Sequence, residues 1–148
     1  DNEISWIDWS LLEKNKDLFE FFKFMIDYRK KHPVIRKKLD NAVCGMEAMH
    51  AHDVNAERME VPQNAKTLAV SFAGKDDLVY VAVNAYWEEV KITLPNLANH
   101  GAWYLSVDTY GDEKGKYFYQ EGEEIRIDRE YVMKPRSIVV FTGREILR

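Results

Sequence analysis

Paired histidines form the first group of side chains in this sequence that could do chemistry. His50-Ala51-His52-Asp53 places two imidazoles at alternate positions, and alternate residues share one face of a β-strand. Such a pair would suit a metal ion, but a metal site normally needs three or four convergent ligands. We therefore interpret these side chains as solvated polar residues, and we predict no metal site and no cofactor.

Acidic side chains form the second group. They cluster at Asp76-Asp77, at Glu88-Glu89 and from Glu121 to Glu124. A retaining glycosidase needs two carboxyl groups about 5–5.5 Å apart in a cleft, one of them kept protonated by its surroundings. These clusters lie in turn-like polar stretches, where solvated loops are the commoner outcome. Because the sequence also lacks a GxSxG elbow and a glycine-rich phosphate loop, we assign no catalytic residue.

The first nine residues, DNEISWIDW, look most like a binding site. Asp1, Asn2 and Trp6 combine hydrogen-bonding groups with an aromatic ring, which suits a sugar's hydroxyls and its apolar face. Alternatively, the apolar side chains of this stretch only fasten the chain end to a core. Composition does not decide between the two, so Asp1, Asn2 and Trp6 are predicted as substrate-binding residues beside that alternative.

Aromatic side chains make up 13% of the chain, enough for a second type of sugar contact. Tyr117 and Tyr119 would share one face of a strand and stack on a glucan chain. Trp87, Trp103 and Tyr104 belong to the same set of candidate rings. Core packing explains the same alternation and is the commoner use of large aromatic rings. Tyr117 and Tyr119 are therefore candidate glucan-stacking residues beside a core alternative.

The sequence predicts one long helix on the N-terminal side of the strands. From Lys16 to Lys31 apolar residues recur three or four positions apart, with Asp17 in the first turn and basic residues in the last. Pro33 then ends the helix, because proline disfavours the helical region for the residue before it. Ser10-Leu11-Leu12-Glu13 matches a capping box for a short preceding turn. Phenylalanines crowd more than one side of the long helix, so we expect an apolar side between Leu18 and Tyr28 that needs a partner.

From Thr67 onward the hydrophobic period changes to two, and turn signals recur every 8–12 residues. This spacing is typical of an antiparallel β-sandwich or barrel. The fold class is thus mainly β, an antiparallel β-sandwich preceded by one long N-terminal α-helix. Between Val34 and Lys66 we expect a connection with one early strand. The seven predicted strands are TLAVSFA, LVYVAVN, EEVKITL, AWYLSVD, KYFYQ, EIRID and SIVVFTG.

Composition excludes several classes of protein. A net charge of -4 without a basic stripe argues against a nucleic-acid partner. No apolar run approaches the roughly 18–20 residues that span a bilayer, so no membrane partner is predicted. Cys44 stands alone, which rules out an intramolecular disulfide and favours a cytoplasmic location.

Several segments resemble one enzyme family. DNEISWIDW, with a helix ending in IDYRKKHPVIRK, resembles the end of the catalytic barrel in glycogen-debranching enzymes, the isoamylase and pullulanase branch of the α-amylase superfamily, glycoside hydrolase family thirteen. VYVAVNAYWEEVKITLP resembles the family's strand pair around NAYWE, WYLSVDT its VDT strand, and VMKPRSIVVF its closing PRS strand. The middle segment, AMHAHDVNAERMEVPQNAKTLA, departs most from the family pattern.

The resemblance implies that the chain is a piece of a larger protein. Residues 1–44 would be the last loop and helix of the barrel, and residues 45–148 the C-terminal all-β domain. The family's catalytic carboxylates lie on barrel strands that precede this segment, so none is assigned here. The implied partners are the catalytic barrel, and α-glucan such as glycogen or starch in the parent enzyme. The uncovered helix from Leu18 to Tyr28 also predicts self-association of an isolated fragment.

Overall fold

A computed structural model describes residues 2–36, 49–56, 64–97 and 101–144 of the chain. Its contacts divide the chain into two compact units, Asp1–Lys31 and His32–Arg148. We call them the helical unit and the β unit. The predicted domain boundary between residues 44 and 45 falls outside the described residues and stays a prediction.

The helical unit contains a 3₁₀ turn, Glu3–Ser5, and two helices, α1 (Leu11–Lys14) and α2 (Lys16–Lys31). The bounds of α2 are those predicted from the apolar spacing, with Asp17 in its first turn and Arg29, Lys30 and Lys31 in its last. None of the described helices is long and apolar enough to cross a membrane.

The capping-box interpretation of Ser10 is wrong. Ser10 precedes α1 but makes no side-chain cap hydrogen bond, and its own backbone is already helical. Its hydroxyl instead donates to the Asp8 carboxylate at 2.6 Å, and its backbone N–H donates to the same oxygen at 2.9 Å. Asp8 therefore organises the turn before α1, since an aspartate readily bonds the backbone two residues on.

The apolar side of α2 is only partly uncovered. Leu18, Phe19, Phe22 and Ile26 are exposed, whereas Phe24 and Tyr28 are buried. The predicted uncovered side from Leu18 to Tyr28 is thus confined to one stripe of the helix.

The β unit begins with a second 3₁₀ turn, Pro33–Ile35, which is fastened to the turn between two strands. The Asp77 carboxylate bonds the His32 ring at 2.6 Å and accepts the Val34 backbone N–H at 3.1 Å. Asp77 was predicted as a solvated loop residue. Its structural role could not be read from the sequence because its partners lie more than forty positions away.

Within the described ranges, eight antiparallel strands follow, in two sheets. The six-stranded sheet has the order β1-β2-β3-β8-β5-β6, and β4 pairs with β7 in the second sheet. Apolar side chains of both sheets, among them Ile92, Met133, Tyr80 and Phe141, join one buried core. The mainly β, sandwich fold class is therefore confirmed. The strands are β1 (Met49–His52), β2 (Thr67–Ala73), β3 (Leu78–Asn84), β4 (Val90–Thr93), β5 (Ala102–Asp108), β6 (Ile125–Ile127), β7 (Glu130–Met133) and β8 (Ser137–Arg144).

Two strand predictions need correction. KYFYQ is not a strand, since only Phe118 forms an isolated bridge, to Val107. Conversely, β7 (Glu130–Met133) was missed, because its four residues show little alternation and its last residue, Met133, begins the predicted turn MKPR. The early strand expected between residues 34 and 66 is β1.

Candidate functional site

Three of the sequence motifs noted above meet at one end of the six-stranded sheet. Asn84 ends β3 and pairs with Ser137, which begins β8, while Asp108 ends β5 and pairs with Val139. The end of β3, the end of β5 and the start of β8 are therefore neighbours. We call this region the motif end; it is the candidate functional site of the β unit.

Asn84 organises the loop that leaves β3. Its side chain is only 1% exposed. Its amide nitrogen donates to the carbonyls of Glu88 at 2.9 Å and of Lys134 at 3.0 Å. Its amide oxygen accepts the Tyr86 N–H at 3.0 Å. One buried amide thus ties the loop after β3 to the loop before β8, using both donors and the acceptor that asparagine carries.

Asp108 links the two sheets. Its carboxylate accepts the hydroxyl of Tyr131, on β7, at 2.7 Å, and the Tyr110 backbone N–H at 2.9 Å. Burial and the Asp108 carboxylate together raise the pKa of Tyr131 above its ordinary value. The Tyr131 phenol therefore remains a hydrogen-bond donor throughout the physiological pH range.

One residue of the motif end has a strained backbone. Arg136 has a φ of 53°, in the left-handed region that residues other than glycine rarely adopt. Its N–H donates to the Tyr86 carbonyl at 3.0 Å. The Ser137 hydroxyl donates to the Lys134 carbonyl at 2.7 Å, and the Thr109 hydroxyl accepts the Ile138 N–H at 2.8 Å. The surrounding hydrogen bonds thus hold the backbone in this conformation.

Exposed rings and charges surround this fixed framework. Trp87 and Tyr110 are both exposed. Tyr86 packs against Trp87 with ring centroids 4.3 Å apart, and the Lys66 ammonium lies 3.9 Å from the Tyr86 centroid. Lys134 pairs with Glu89 on the surface, and this contact raises the pKa of Lys134. The motif end therefore offers exposed aromatic rings beside hydrogen-bonding groups.

Comparison with known proteins identifies the β unit. The family described as "Isoamylase, C-terminal" matches residues 40–142. The chain belongs to this family. The match covers the motif end and all eight strands apart from the last residues of β8, which confirms the resemblance to the C-terminal part of isoamylase-type enzymes.

Curated relatives are similar over a shorter stretch. The "Glycogen operon protein GlgX homolog" of Mycobacterium bovis is 47% identical over 38 residues, which are 26% of this chain and 5% of the relative. The proteins of that name from two strains of Mycobacterium tuberculosis match equally well. The matched segment thus spans only a small part of the length of these relatives.

In this isoamylase C-terminal domain, the three sequence motifs are structural parts of one region, the motif end. NAYWE supplies Asn84, VDT supplies Asp108 and Thr109, and PRS supplies Arg136 and Ser137. From the sequence, the motifs were signs of family membership without a known role. The bonds that connect different loops and strands, such as Asn84 to the Lys134 carbonyl and Thr109 to the Ile138 N–H, could not be predicted, because they join residues that lie far apart in the chain.

The predicted sugar-binding residues belong to two different units, Asp1, Asn2 and Trp6 to the helical unit and Tyr117 and Tyr119 to the β unit. Asp1 lies outside the described residues. The Asn2 side chain accepts the Ile4 N–H at 3.2 Å, capping the first 3₁₀ turn, and Trp6 is exposed. Tyr117 is half-buried and would meet any side chain added at Gly111. Tyr119 is only 7% exposed and belongs to the core, so its ring has no free face for a sugar.

The two histidines of β1 do lie side by side, with ring centroids 4.9 Å apart. His52 is nevertheless buried, so the interpretation of a fully solvated pair is wrong for this residue. Its Nδ1 lies 3.2 Å from the Ala56 carbonyl, to which only a protonated nitrogen can donate, and its Nε2 lies 2.7 Å from the Ser71 hydroxyl. In the part of the chain that the structure describes, no group of three or more side chains could hold a metal ion.

We expect His52 to make the β unit less stable in mild acid. Burial lowers the pKa of His52 below its ordinary value. The unfolded chain then takes up a proton at a higher pH than the folded chain, so stability is lost as pH falls through the unfolded value of about 6.5. Urea unfolding at about pH 7.5 and about pH 5 measures the loss. His52→Gln should flatten this dependence more than His50→Gln does; equal slopes in all three chains would contradict it.

The acidic clusters are surface or structural groups. Glu124 pairs with Arg144, and Glu123 bonds Lys116 at 3.0 Å. These contacts join charged groups to one another rather than directing them into a cleft.

Proposed function

We propose that the chain is the C-terminal part of a glycogen- or starch-debranching α-1,6-glucosidase. In this role it is non-catalytic by itself and stabilises the catalytic barrel of the parent enzyme by packing against it. Membership of the isoamylase C-terminal family supports the proposal, as do relatives named as glycogen operon proteins. The parent reaction would be retaining hydrolysis of α-1,6 branches through a covalent glycosyl-enzyme, with the catalytic carboxylates supplied from outside this chain.

The observation that carries the packing role is an uncovered apolar groove in the helical unit. The groove has a volume of about 610 Å³. Soluble proteins rarely leave a contiguous apolar surface of this kind without a partner. Its lining residues are Ile7, Asp8, Trp9, Leu11, Leu12, Asn15, Leu18, Phe19 and Phe22.

The chemistry of the groove favours a protein partner over a sugar. Asp8 and Asn15 are the only polar residues among its lining residues. A glucan chain presents many hydroxyls that need hydrogen-bonding partners, whereas a barrel wall presents apolar side chains. The groove therefore suits the interior packing of a larger domain.

The test supplies the chain in trans to an isoamylase-type catalytic domain truncated before the segment that corresponds to residue 1. We expect the chain to bind this domain, to raise its Tm and to restore hydrolysis of α-1,6 linkages, while hydrolysing nothing alone. Phe22→Glu should weaken the binding at least tenfold, because about 2 kcal/mol of apolar burial is lost.

Val132→Glu is the matched control. Val132 is exposed on β7, away from the groove residues in the chain, and should tolerate the same change without loss of binding. Failure of the unmodified chain to stabilise the barrel, or equal binding by Phe22→Glu, would refute the packing role. Sedimentation of the chain alone tests the expected self-association through the same helix, which Phe22→Glu should abolish.

A further inference from the structure

Trp87 is an exposed ring that the packing role leaves unexplained. It is 64% exposed, more than any other aromatic side chain of the β unit within the described residues. It lies at the motif end, next to the family motif residue Asn84. An exposed indole is costly in water, and here it is presented by a loop that the protein holds firmly in place.

The loop that carries Trp87 is fixed at both sides. Asn84 bonds the residue before Trp87 and the residue after it, through the Tyr86 N–H and the Glu88 carbonyl. The Tyr86 carbonyl accepts the Arg136 N–H, which ties the loop to β8 as well. The loop backbone that carries the ring is therefore ordered before any ligand binds, which reduces the conformational entropy lost on binding.

Neighbouring side chains cover part of the Trp87 indole. The centroid distance of 4.3 Å and the interplanar angle of 38° place Tyr86 against one face of Trp87. The Lys66 ammonium lies 3.9 Å from the Tyr86 centroid and 5.1 Å from the Trp87 centroid. The protein's own Lys66 therefore already supplies a cation to these two rings. Trp87 nevertheless stays 64% exposed, so part of its aromatic ring remains open to a ligand.

Charged residues follow Trp87 in the chain. Glu88 and Glu89 follow Trp87 directly, and Glu89 pairs with Lys134 at the surface. Tyr110, the other exposed ring of the motif end, interacts electrostatically with Lys134. A sugar presents an apolar C–H face and a rim of hydroxyls that both donate and accept, which suits an exposed ring with charged residues next to it in the chain.

We propose that Trp87 is the stacking platform of a glucan-binding site on the β unit, with Glu89 and Lys134 as partners for the sugar hydroxyls. The choice of an α-1,4-glucan chain rests on the proposed function. The site deepens that function, since it would hold a branch or neighbouring chain of the substrate on the C-terminal domain. It also relocates the predicted stacking residues, because Tyr119 is buried and Trp87 is exposed.

Calorimetric titration of the 148-residue chain with maltoheptaose tests the site. We expect a saturable curve with a Kd of about 1 mM, typical of a small contact area. Trp87→Ala should weaken binding at least tenfold, because the stacked apolar area is lost. Ile125→Ala, which truncates an exposed apolar side chain on β6, should bind as the unmodified chain does.

Two further measurements keep the test decisive. If Trp87→Ala unfolds, the indole N–H signal of Trp87 in the unmodified chain reports directly whether maltoheptaose contacts this ring. Cellohexaose, a β-linked glucan, should bind at least tenfold more weakly, because its flat ribbon differs from the curved α-linked chain. No saturable binding of maltoheptaose, an unshifted Trp87 signal, or equal binding of cellohexaose would overturn the proposal.

The failure of this site and the failure of the proposed function are distinguishable. A chain that stabilises the truncated barrel but binds no maltoheptaose has the packing role without the sugar site. A chain that binds maltoheptaose at Trp87 but leaves the barrel unaffected has the sugar site without the packing role.

Discussion

Asn84→Asp is expected to lower the free energy of unfolding by about 3–5 kcal/mol at neutral pH. The change removes the amide nitrogen whose two N–H groups donate to the Glu88 and Lys134 carbonyls. The carboxylate oxygen that takes its place repels both carbonyl oxygens. It also buries a charge at a position that is 1% exposed. The loss should shrink as pH falls toward about 4, because a carboxyl in this surrounding has a raised pKa and regains a donor once it is protonated.

Asn55→Asp is the matched control for this prediction. Asn55 is exposed in the turn after β1, so the same change in charge should alter the free energy of unfolding by about 0.5 kcal/mol or less. Urea unfolding of both variants at neutral and acidic pH provides the comparison. A loss at Asn84 no larger than that at Asn55 would mean that the motif end does not depend on this amide.

Asp108→Ala should cost about 3 kcal/mol, the second-largest expected effect. The Tyr131 hydroxyl and the Tyr110 N–H both lose their acceptor, and the hydroxyl is left without its carboxylate partner between the sheets. Tyr131→Phe should cost less, about 1–2 kcal/mol, because it removes the hydroxyl and its need for a partner together.

The double variant separates the bond from the other effects. If Asp108 and Tyr131 act through their shared hydrogen bond, the double variant should lose about 1 kcal/mol less stability than the sum of the two single variants. Asp76→Ala, at an exposed carboxylate in the β2–β3 turn, should leave stability nearly unchanged. Additive losses would show that the two side chains stabilise the sandwich independently.

Local elements with strong periodic signals were predicted well. The helix α2 has the expected bounds, and three strands, β2, β3 and β5, begin and end at the predicted residues. These elements have long apolar runs bounded by proline, glycine or charged turns, so neighbouring residues alone specify them. Short elements with weak alternation, such as β7, depend on the partner strand that pairs with them.

The site was predicted less well, for a physical reason that Tyr119 and Trp87 illustrate. Both rings belong to the set of candidate stacking residues, and period-two alternation does not show which face of a sheet another layer covers. Packing of the two sheets places Tyr119 in the core, while the loop after β3 leaves Trp87 exposed. Burial of an aromatic ring is thus decided by elements that are distant in sequence.

The sequence by itself determined the fold class, the long helix, most strands and the resemblance to isoamylase-type enzymes, because these depend on local spacing and on motifs read in order. Only the tertiary structure decided that the motifs of three separate strands share one end of a sheet. It alone gave Asn84, Asp108 and Asp77 their roles, since each acts through hydrogen bonds to residues as many as fifty positions away. Long-range pairing is set by sheet order, and sheet order follows from how all the apolar faces are buried together.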